Sequence, residues 1–235
     1  MCAFLTTMYR QSARTNSGPD AFWPAYRLEG EPSFHMSSLT LRLGNRVFEF
    51  VPAPINFGGL RISDVFGRKN NKTLGQTLQH CRYVHLADRV GRDYPTALAK
   101  PLGDFLLDLK RSGDPFYREF LNSYGDESFC QFRLGDVSFS RLKGLYCFTV
   151  TAILKYIGKS TDTFKKRITQ GYGCIHPKNC YLDGQATNCH LNALIANCIQ
   201  DLGLFVHPIT DDEEIVQSEA ALIASYRPEW NIQLK

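Results

Sequence analysis

Two short apolar segments near the middle of the chain constrain the fold more than any other feature. The first covers residues 144–150 (GLYCFTV) and the second 153–158 (ILKYIG), with only two residues between them. Aromatic and β-branched residues on both sides of such a tight break predict a β-hairpin. Because side chains alternate between the two faces of a strand, a suitable register brings Tyr146 and Tyr156 onto one surface.

A basic helix is predicted directly after this hairpin. Phe164 and Ile168 would form its apolar side, and the basic run KKR, which ends at Arg167, fills its first turns. Thr161 or Asp162 is expected to cap the helix, because short polar side chains accept hydrogen bonds from the first free backbone N–H groups.

The C-terminal part of the chain predicts a second set of elements. Residues 204–210 (LFVHPIT) indicate a strand, and residues 211–226 indicate a helix with Glu219 in its middle. The chain then closes on RPEWN, in which the asparagine is Asn231.

Together these segments resemble the GIY-YIG nuclease superfamily over roughly residues 141–235. The sequence has GLY at 144–146, with leucine where the family often has isoleucine, and YIGKS ten residues further on. An acidic helix residue, Glu219, is followed about a dozen residues later by Asn231 in a Pro-x-x-Asn ending. The resemblance implies an α+β fold with a small three-stranded antiparallel sheet flanked by helices. It is greatest to the small GIY-YIG type II restriction endonucleases.

The resemblance also implies the residues that would cut a phosphodiester bond. Arg167 would hold the scissile phosphate, since its guanidinium group fits two phosphate oxygens. Glu219 would hold one Mg²⁺ or Mn²⁺ ion, which offsets developing charge. Tyr146 or Tyr156 would act as general base or orient the attacking water, and the resemblance favours Tyr146.

Further residues are expected to support this chemistry. The pKa of free tyrosine is near 10, and the charge of Lys159, three residues after Tyr156, could lower it together with the metal. Asn231 is expected to act as support. Many family members carry a histidine or tyrosine just after the arginine, but here Gly171 stands one turn beyond Arg167. The candidates to replace it are Tyr172, His176 and His190.

The chain divides into three regions. Residues 1–35 are rich in Ser, Asn, Gly and Pro and predict a flexible arm. Residues 36–140 predict a mixed α/β N-terminal region with a role in DNA recognition, which starts with a hairpin around Gly44-Asn45. Residues 141–235 form the predicted nuclease domain, with a polar insertion at 171–192. Outside the basic and acidic helices, further helices are expected over 72–88, 101–110, 114–124 and 192–202.

Contacts that select a DNA sequence are expected outside the hairpin and the basic helix, because phosphate contacts carry no direct sequence information. Arg68, Lys69 and Lys72 are candidates for the DNA backbone, and a solvated loop is the competing interpretation. In the insertion, amide and imidazole groups can read base edges, whereas the alternative is an ordered loop whose amides cap its own backbone. The candidates there are Gln185, Asn188 and His190.

Composition narrows the class of protein. A hydrophobic content of 43% and a charged content of 21% are ordinary for a globular chain, and the net charge of +4 is compatible with nucleic acid. No apolar run reaches the length of a transmembrane helix, and the N-terminus lacks a secretory pattern. The eight cysteines contain no CxxC pair, which favours reduced thiols over a zinc site. We expect a cytoplasmic protein without membrane contact or organic cofactor.

The leading hypothesis is a metal-dependent endonuclease that acts on double-stranded DNA, specifically a sequence-specific type II restriction enzyme, with a homodimer left open. One alternative is a repair or mobile-element nuclease of the same superfamily. Another is a nucleic-acid-binding module that has lost catalysis, although the joint presence of Tyr146, Tyr156, Arg167 and Glu219 argues against it.

Overall fold

The computed structural model describes residues 38–232, so the arm predicted over 1–35 lies outside the described residues. The strands of the described part are β1 (Leu39–Leu43), β2 (Arg46–Pro52), β3 (Ile55–Ile62), β4 (Phe129–Leu134), β5 (Gly144–Val150), β6 (Ile153–Ser160) and β7 (Leu202–Pro208). Five of them form one antiparallel sheet in the order β1-β2-β7-β5-β6, and β3 pairs with β4 in a separate antiparallel sheet. The coarse prediction of an α+β fold agrees with this architecture.

The central hairpin forms as predicted from β5 and β6. Its turn residues, Thr151 and Ala152, have φ angles of 49° and 64°, and positive φ at both central positions suits a two-residue hairpin turn. Gly144 begins β5 at φ 142°, where an added Cβ would lie 2.2 Å from the carbonyl oxygen of His207. The first glycine of the GLY segment is therefore required by its close approach to β7.

The large sheet has five strands where the resemblance implies three. The predicted hairpin around Gly44-Asn45 exists, but it joins this sheet because β2 pairs with β7. Phe48 and Phe50 are buried in the same core as Leu145 of β5. The additional hairpin thus covers an edge of β7 that would otherwise expose unpaired backbone groups.

Helices cover both faces of the large sheet. One face, with Leu145 and Ile157, packs against Ile215 and Leu222 of the last helix. The opposite face carries Tyr146 and packs against a π-helix and the helix that precedes β7. The helices are α1 (Leu74–Leu78), α2 (Ala87–Asp93), α3 (Leu102–Ser112), the π-helix (Lys165–Tyr172), α4 (Ala186–Ala196) and α5 (Asp212–Tyr226).

The predicted helices agree with those in the structure to different degrees. The helix expected over 101–110 is confirmed as α3, and the acidic helix is confirmed as α5, with Asp211 as its N-cap. The helix expected over 114–124 is only a 3₁₀ helix, Pro115–Phe120. The helix expected over 192–202 lies earlier, as α4.

The helix expected over 72–88 is broken into α1, a 3₁₀ turn (Val84–Leu86) and the start of α2. Leu78 and Tyr83 are both buried in one core. Five residues apart, they would stand about 140° from each other around a continuous α-helix. The break between the two helices lets both side chains reach the same core.

Two further findings concern the described residues as a whole. The seven cysteines among residues 38–232 are free thiols. None of the helices in that range is both long enough and apolar enough to cross a membrane.

Candidate active site

The predicted catalytic residues converge on β6, the edge strand of the large sheet. Tyr156 packs on the face that carries the π-helix, whereas Lys159 meets α5 on the opposite face. A cleft of about 670 Å³ lies beside this edge and receives groups from both faces. The site residues predicted from the sequence that line it are Tyr156, Lys159, Arg167, Gln185, Asn188, Glu219 and Asn231.

Three tyrosine hydroxyls form one hydrogen-bonded group beside the cleft. The hydroxyl of Tyr172 lies 2.8 Å from that of Tyr146 and 3.3 Å from that of Tyr156. Tyr146 and Tyr172 are fully buried, and of the three only Tyr156 lines the cleft. Of the two tyrosines considered for direct contact with the attacking water, Tyr156 is thus the one at the cleft, and Tyr146 lies behind it.

Burial also determines the protonation of Tyr146. Burial raises the pKa of Tyr146 well above its usual value, and the neighbouring Tyr156 acts in the same direction. Arg167 opposes this rise but does not outweigh it. Tyr146 therefore remains a neutral hydroxyl. The expected effect of Lys159 together with a metal ion on a catalytic tyrosine stays a prediction.

The glycine of the YIG segment makes room for this group. An added Cβ at Gly158 would lie 2.4 Å from the hydroxyl oxygen of Tyr146. Any side chain at this position would displace the Tyr146 ring, and with it the contact between Tyr146 and Tyr172. The spacing of GLY and YIG thus has a direct steric cause.

The π-helix sets the relation between Arg167 and Tyr172. The backbone N–H of Gly173 donates to the carbonyl of Ile168, five residues earlier, at 2.7 Å. In this winding, positions five apart approach one another, and the guanidinium carbon of Arg167 lies 4.7 Å from the centre of the Tyr172 ring. Tyr172 therefore occupies the place that an α-helix would give to Gly171. The candidates for that place are Tyr172, His176 and His190. Of these, Tyr172 is the one that is hydrogen-bonded to both Tyr146 and Tyr156.

The start of this helix differs from the prediction. The hydroxyl of Thr163 accepts a hydrogen bond from the backbone N–H of Lys166 at 3.2 Å. Thr161 and Asp162 instead line the cleft, and Asp162 forms an ion pair with Lys166. The sequence analysis did not single out this pair, although its i, i+4 spacing was the available signal.

Arg167 connects the tyrosine group to the cleft. Its Nε–H donates to the Tyr146 hydroxyl at 3.3 Å, and its side chain is half-buried. Arginine can only donate hydrogen bonds. The Tyr146 oxygen therefore accepts from Arg167. A hydroxyl oxygen has two lone pairs, so this bond leaves open whether Tyr146 or Tyr172 donates in the contact between them, and the same holds for Tyr172 and Tyr156.

The other face of β6 contributes an ion pair. The ammonium group of Lys159 contacts the carboxylate of Glu219, which α5 places at the cleft. The side chain of Glu219 is 11% exposed and that of Lys159 is 36% exposed. The carboxylate is thus largely shielded from solvent while its lysine partner remains in contact with the cleft.

This arrangement offers a magnesium ion one carboxylate ligand. Mg²⁺ usually binds to one or two carboxylates and takes its other ligands from water and substrate phosphates. Glu219 would supply the carboxylate. Within residues 38–232, no three His, Cys, Asp or Glu side chains are grouped so that they could hold a metal ion together.

Asn231 positions β6 from outside the sheet. Its side-chain oxygen accepts from the backbone N–H of Ile157 at 3.0 Å, and its amide donates to the Ile157 carbonyl at 2.8 Å. These bonds satisfy the backbone N–H and C=O groups of Ile157 on the free edge of β6, between Tyr156 and Gly158. As expected for a supporting residue, Asn231 is buried and acts on the backbone.

The insertion holds one exposed amide at the cleft. Gln185 is exposed, and its side-chain oxygen accepts from the amide of Asn188 at 2.8 Å. Asn188 itself is 3% exposed. The prediction that Asn188 reads base edges is therefore corrected, because Asn188 is buried and instead fixes the orientation of Gln185.

Two more polar residues of the insertion, His190 and Asn192, pack against other parts of the protein. His190 packs its ring 4.4 Å from the centre of Tyr124, and its Nε2 is buried without a hydrogen-bond partner among the described residues. Burial lowers the pKa of His190, so the ring is neutral. Asn192 is fully buried and bonds to the backbone of Cys130 and Tyr172. His190 does not line the cleft, and its predicted contact with a base stays a prediction.

The basic residues of the N-terminal region lie outside the cleft lining. Arg68 and Lys72 are exposed, and Lys69 is half-buried with its ammonium group 4.5 Å from the centre of the Tyr181 ring. Tyr181 belongs to the insertion, so the two regions meet at this contact.

Comparisons of the chain with protein-family models, with curated proteins and with solved structures find no match. The interpretation of the cleft therefore rests on its own residues and geometry.

Proposed function

We propose that this protein is a metal-dependent DNA endonuclease, and within that class a sequence-specific restriction enzyme of the GIY-YIG type. The observation that carries the proposal is the convergence of two dissimilar sets of groups on one cleft. Tyr156 and Arg167 reach it from one face of β6, and Lys159 and Glu219 reach it from the other. Hydrolysis of a phosphodiester needs both a route for a proton and an offset for developing negative charge.

Arg167 is the residue that would hold the scissile phosphate. Its Nε–H is used by Tyr146, but the terminal nitrogens of its guanidinium group remain available for phosphate oxygens. The contact with the Tyr172 ring fixes the plane of the guanidinium group. Because the group is already oriented, little reorganisation is needed when charge develops on the phosphate.

Tyr156 is the tyrosine that would meet the attacking water. Its hydroxyl is linked to Arg167 through Tyr172 and Tyr146, which fixes its position at the cleft. Tyr156 would accept a hydrogen bond from the attacking water and so orient that water toward the phosphorus atom. Tyr146 and Tyr172 act as positioning residues in this account.

Glu219 would hold the divalent cation, which supplies Lewis-acid stabilisation of the reacting phosphate oxygens when bound. Lys159 neutralises the Glu219 carboxylate in the structure and would leave it when that carboxylate takes a cation. Its ammonium group then becomes available for a phosphate oxygen in the same cleft.

The first experiment is cleavage of plasmid DNA with Mg²⁺ by the wild-type chain and by Glu219→Ala. We expect discrete fragments from the wild type, no cleavage in EDTA, and a loss of about 10²–10³-fold or more in rate for the variant. Retained DNA binding by Glu219→Ala would assign the loss to chemistry. Glu213→Ala is the matched control, because Glu213 is an exposed acid in the first turn of the same helix.

Sequencing of the fragment ends separates the two nuclease hypotheses. A single recurring sequence at the ends supports a restriction enzyme, and its loss on methylated plasmid strengthens that assignment. Ends without a common sequence favour a repair or mobile-element nuclease. Full activity of Glu219→Ala or full activity in EDTA would remove Glu219 from the site.

A further inference from the structure

The basic loop at 68–72 has a fixed shape that it receives from α3. The first three backbone N–H groups of α3 donate to this loop at 3.0, 3.1 and 3.1 Å. The acceptors are the carbonyl oxygens of Lys72 and Lys69 and the side-chain oxygen of Asn70. The amide of Asn70 also donates to Asp104 at 2.8 Å. The loop therefore holds its lysines at defined positions instead of moving freely in solvent.

The insertion brings a third lysine to the same place. Lys69 lies over the ring of Tyr181, whose hydroxyl donates to the carbonyl of Phe66 at 2.9 Å. The backbone N–H of Tyr181 donates to the carbonyl of Lys178 at 3.2 Å. Burial lowers the pKa of Lys69, and the positive charges of Lys72 and Lys178 act in the same direction. Lys69, Lys72 and Lys178 thus form one positive patch, which we call the lysine patch.

Two carboxylates lie near this charge. Asp183 attracts Lys69, but its Oδ1 also accepts a hydrogen bond from the Tyr83 hydroxyl at 2.5 Å. Asp104 is bonded to the amide of Asn70 in the loop, so these two negative charges stand against three positive ones and the patch keeps a positive balance. An anion with several charges, spaced along a chain, suits such a surface.

The patch lies next to the cleft. Asp183, which faces Lys69, stands two residues before Gln185, which lines the cleft. Two residues of extended chain span at most roughly 7 Å. Phosphates recur every 3.4 Å or so along each strand of duplex DNA. A strand whose phosphate enters the cleft can therefore bring its next phosphates over the patch.

We propose that the lysine patch is a second phosphate-binding site, which holds the backbone of the same DNA duplex a few nucleotides from the cut. The proposal rests on the proposed nuclease function and extends it. The cleft grips the phosphate that reacts, and the patch fixes how far the duplex extends into the cleft. The patch lies where the N-terminal region and the insertion share a hydrophobic core, in which Phe66 and Tyr181 are both buried.

The test is duplex binding by the full chain and by the triple variant K69Q/K72Q/K178Q, measured in EDTA by fluorescence anisotropy. The duplex is long enough to cover the cleft and the patch, and salt is varied between about 50 and 200 mM. We expect the slope of log affinity against log salt to fall by about 0.9 for each lost phosphate contact, or about 2.7 for the triple variant. Glutamine retains much of the aliphatic stem that packs on Tyr181.

The matched control is R92Q/R111Q/K143Q, which removes the same charge. Each of these residues already faces a carboxylate, at 3.0, 3.9 and 2.6 Å respectively, and none lines the cleft. We expect the control to retain the wild-type slope. The single variant K178Q, at an exposed position, should lower the slope by about 0.9 and guards against misfolding of the triple variant.

Three outcomes would overturn the proposal. If the patch variants keep the wild-type slope, the lysines do not contact phosphate, and the proposed nuclease function is unaffected. If the control flattens the slope as much as the triple variant, only net charge matters. If the wild-type chain binds no duplex at any salt concentration, the proposed function fails. This inference, which rests on that function, then fails as well.

Discussion

The two faces of β6 contribute to the cleft in different ways. On one face, three tyrosines and Arg167 form a packed group in which Tyr146 and Tyr172 have no exposed surface. On the other, Lys159 and Glu219 form an ion pair, and the lysine is 36% exposed. The first set is neutral except for one arginine, whereas the second set consists only of charges.

This difference indicates separate tasks for the two faces. Buried hydroxyls held by packing keep fixed hydrogen-bond partners, which suits the orientation of a water and of a phosphate. Because its lysine end is partly exposed, the ion pair on the other face leaves room at the cleft for a cation that would replace Lys159 at the shielded Glu219 carboxylate. A site that needs both a fixed geometry and an exchangeable charge can obtain them by taking groups from two faces of one edge strand.

The largest effect is expected on the packed face, from Arg167→Ala. We expect cleavage to slow by about 10³-fold or more, because an oriented guanidinium group stabilises the charge that develops on phosphate. Arg167→Lys should restore only part of the rate, since lysine lacks the two-point contact. Lys165→Ala removes an exposed charge from the same helix and serves as the control. A rate for Arg167→Ala within a few-fold of wild type would exclude Arg167 from the site.

A smaller effect should separate the two tyrosines of the packed face. Tyr156→Phe is expected to lower the cleavage rate by about 10²-fold, because Tyr156 alone of the three borders the cleft. Tyr146→Phe removes the hydroxyl to which the Arg167 Nε–H donates and which Tyr172 contacts, and this should cost about 1–3 kcal/mol in the free energy of unfolding. Urea denaturation and single-turnover rates measure the two effects separately.

The pH–rate profile extends this comparison. Burial raises the pKa of Tyr146, so its protonated form persists as pH rises and should give no inflection below about pH 10. An inflection in that range that Tyr146→Phe removes would contradict the account, because it would show that Tyr146 ionises in the active enzyme.

The smallest effect concerns the charged face. Lys159→Met removes the competitor for the Glu219 carboxylate, so Mn²⁺ should bind about tenfold more tightly in the absence of DNA, equivalent to about 1.4 kcal/mol. Calorimetric titration measures this affinity directly. Lys155→Met is the control, since Lys155 pairs with Glu229 at 2.5 Å. Unchanged affinity in Lys159→Met would mean that Lys159 does not limit access of the cation to Glu219.

The elements around the cleft could be predicted where local sequence decides the structure. The break at Thr151-Ala152 specifies the hairpin, and Asp211 specifies where α5 begins. The pairing of β2 with β7 could not be predicted, because it joins residues about 150 positions apart and no local pattern encodes such a contact.

The candidate site was likewise predictable from the sequence only in part. Tyr156, Arg167 and Glu219, which were selected from the sequence, all line one cleft. The burial of Asn188 could not be foreseen, since a polar, loop-like sequence gives no sign of which amides face a core. The π-winding that brings Tyr172 onto Arg167 could not be foreseen either, because the two residues are five positions apart, a spacing that the α-helical period does not place on one face.

The central claim is that the two faces of β6 act on one phosphate. Its most direct test is a double-mutant cycle in the single-turnover cleavage rate, with Arg167→Lys, Glu219→Gln and the double variant. Groups that act as a unit have strongly non-additive effects, so the double variant should be about as slow as the slower single variant. If the two losses instead multiply, the two faces act independently, and the account is contradicted.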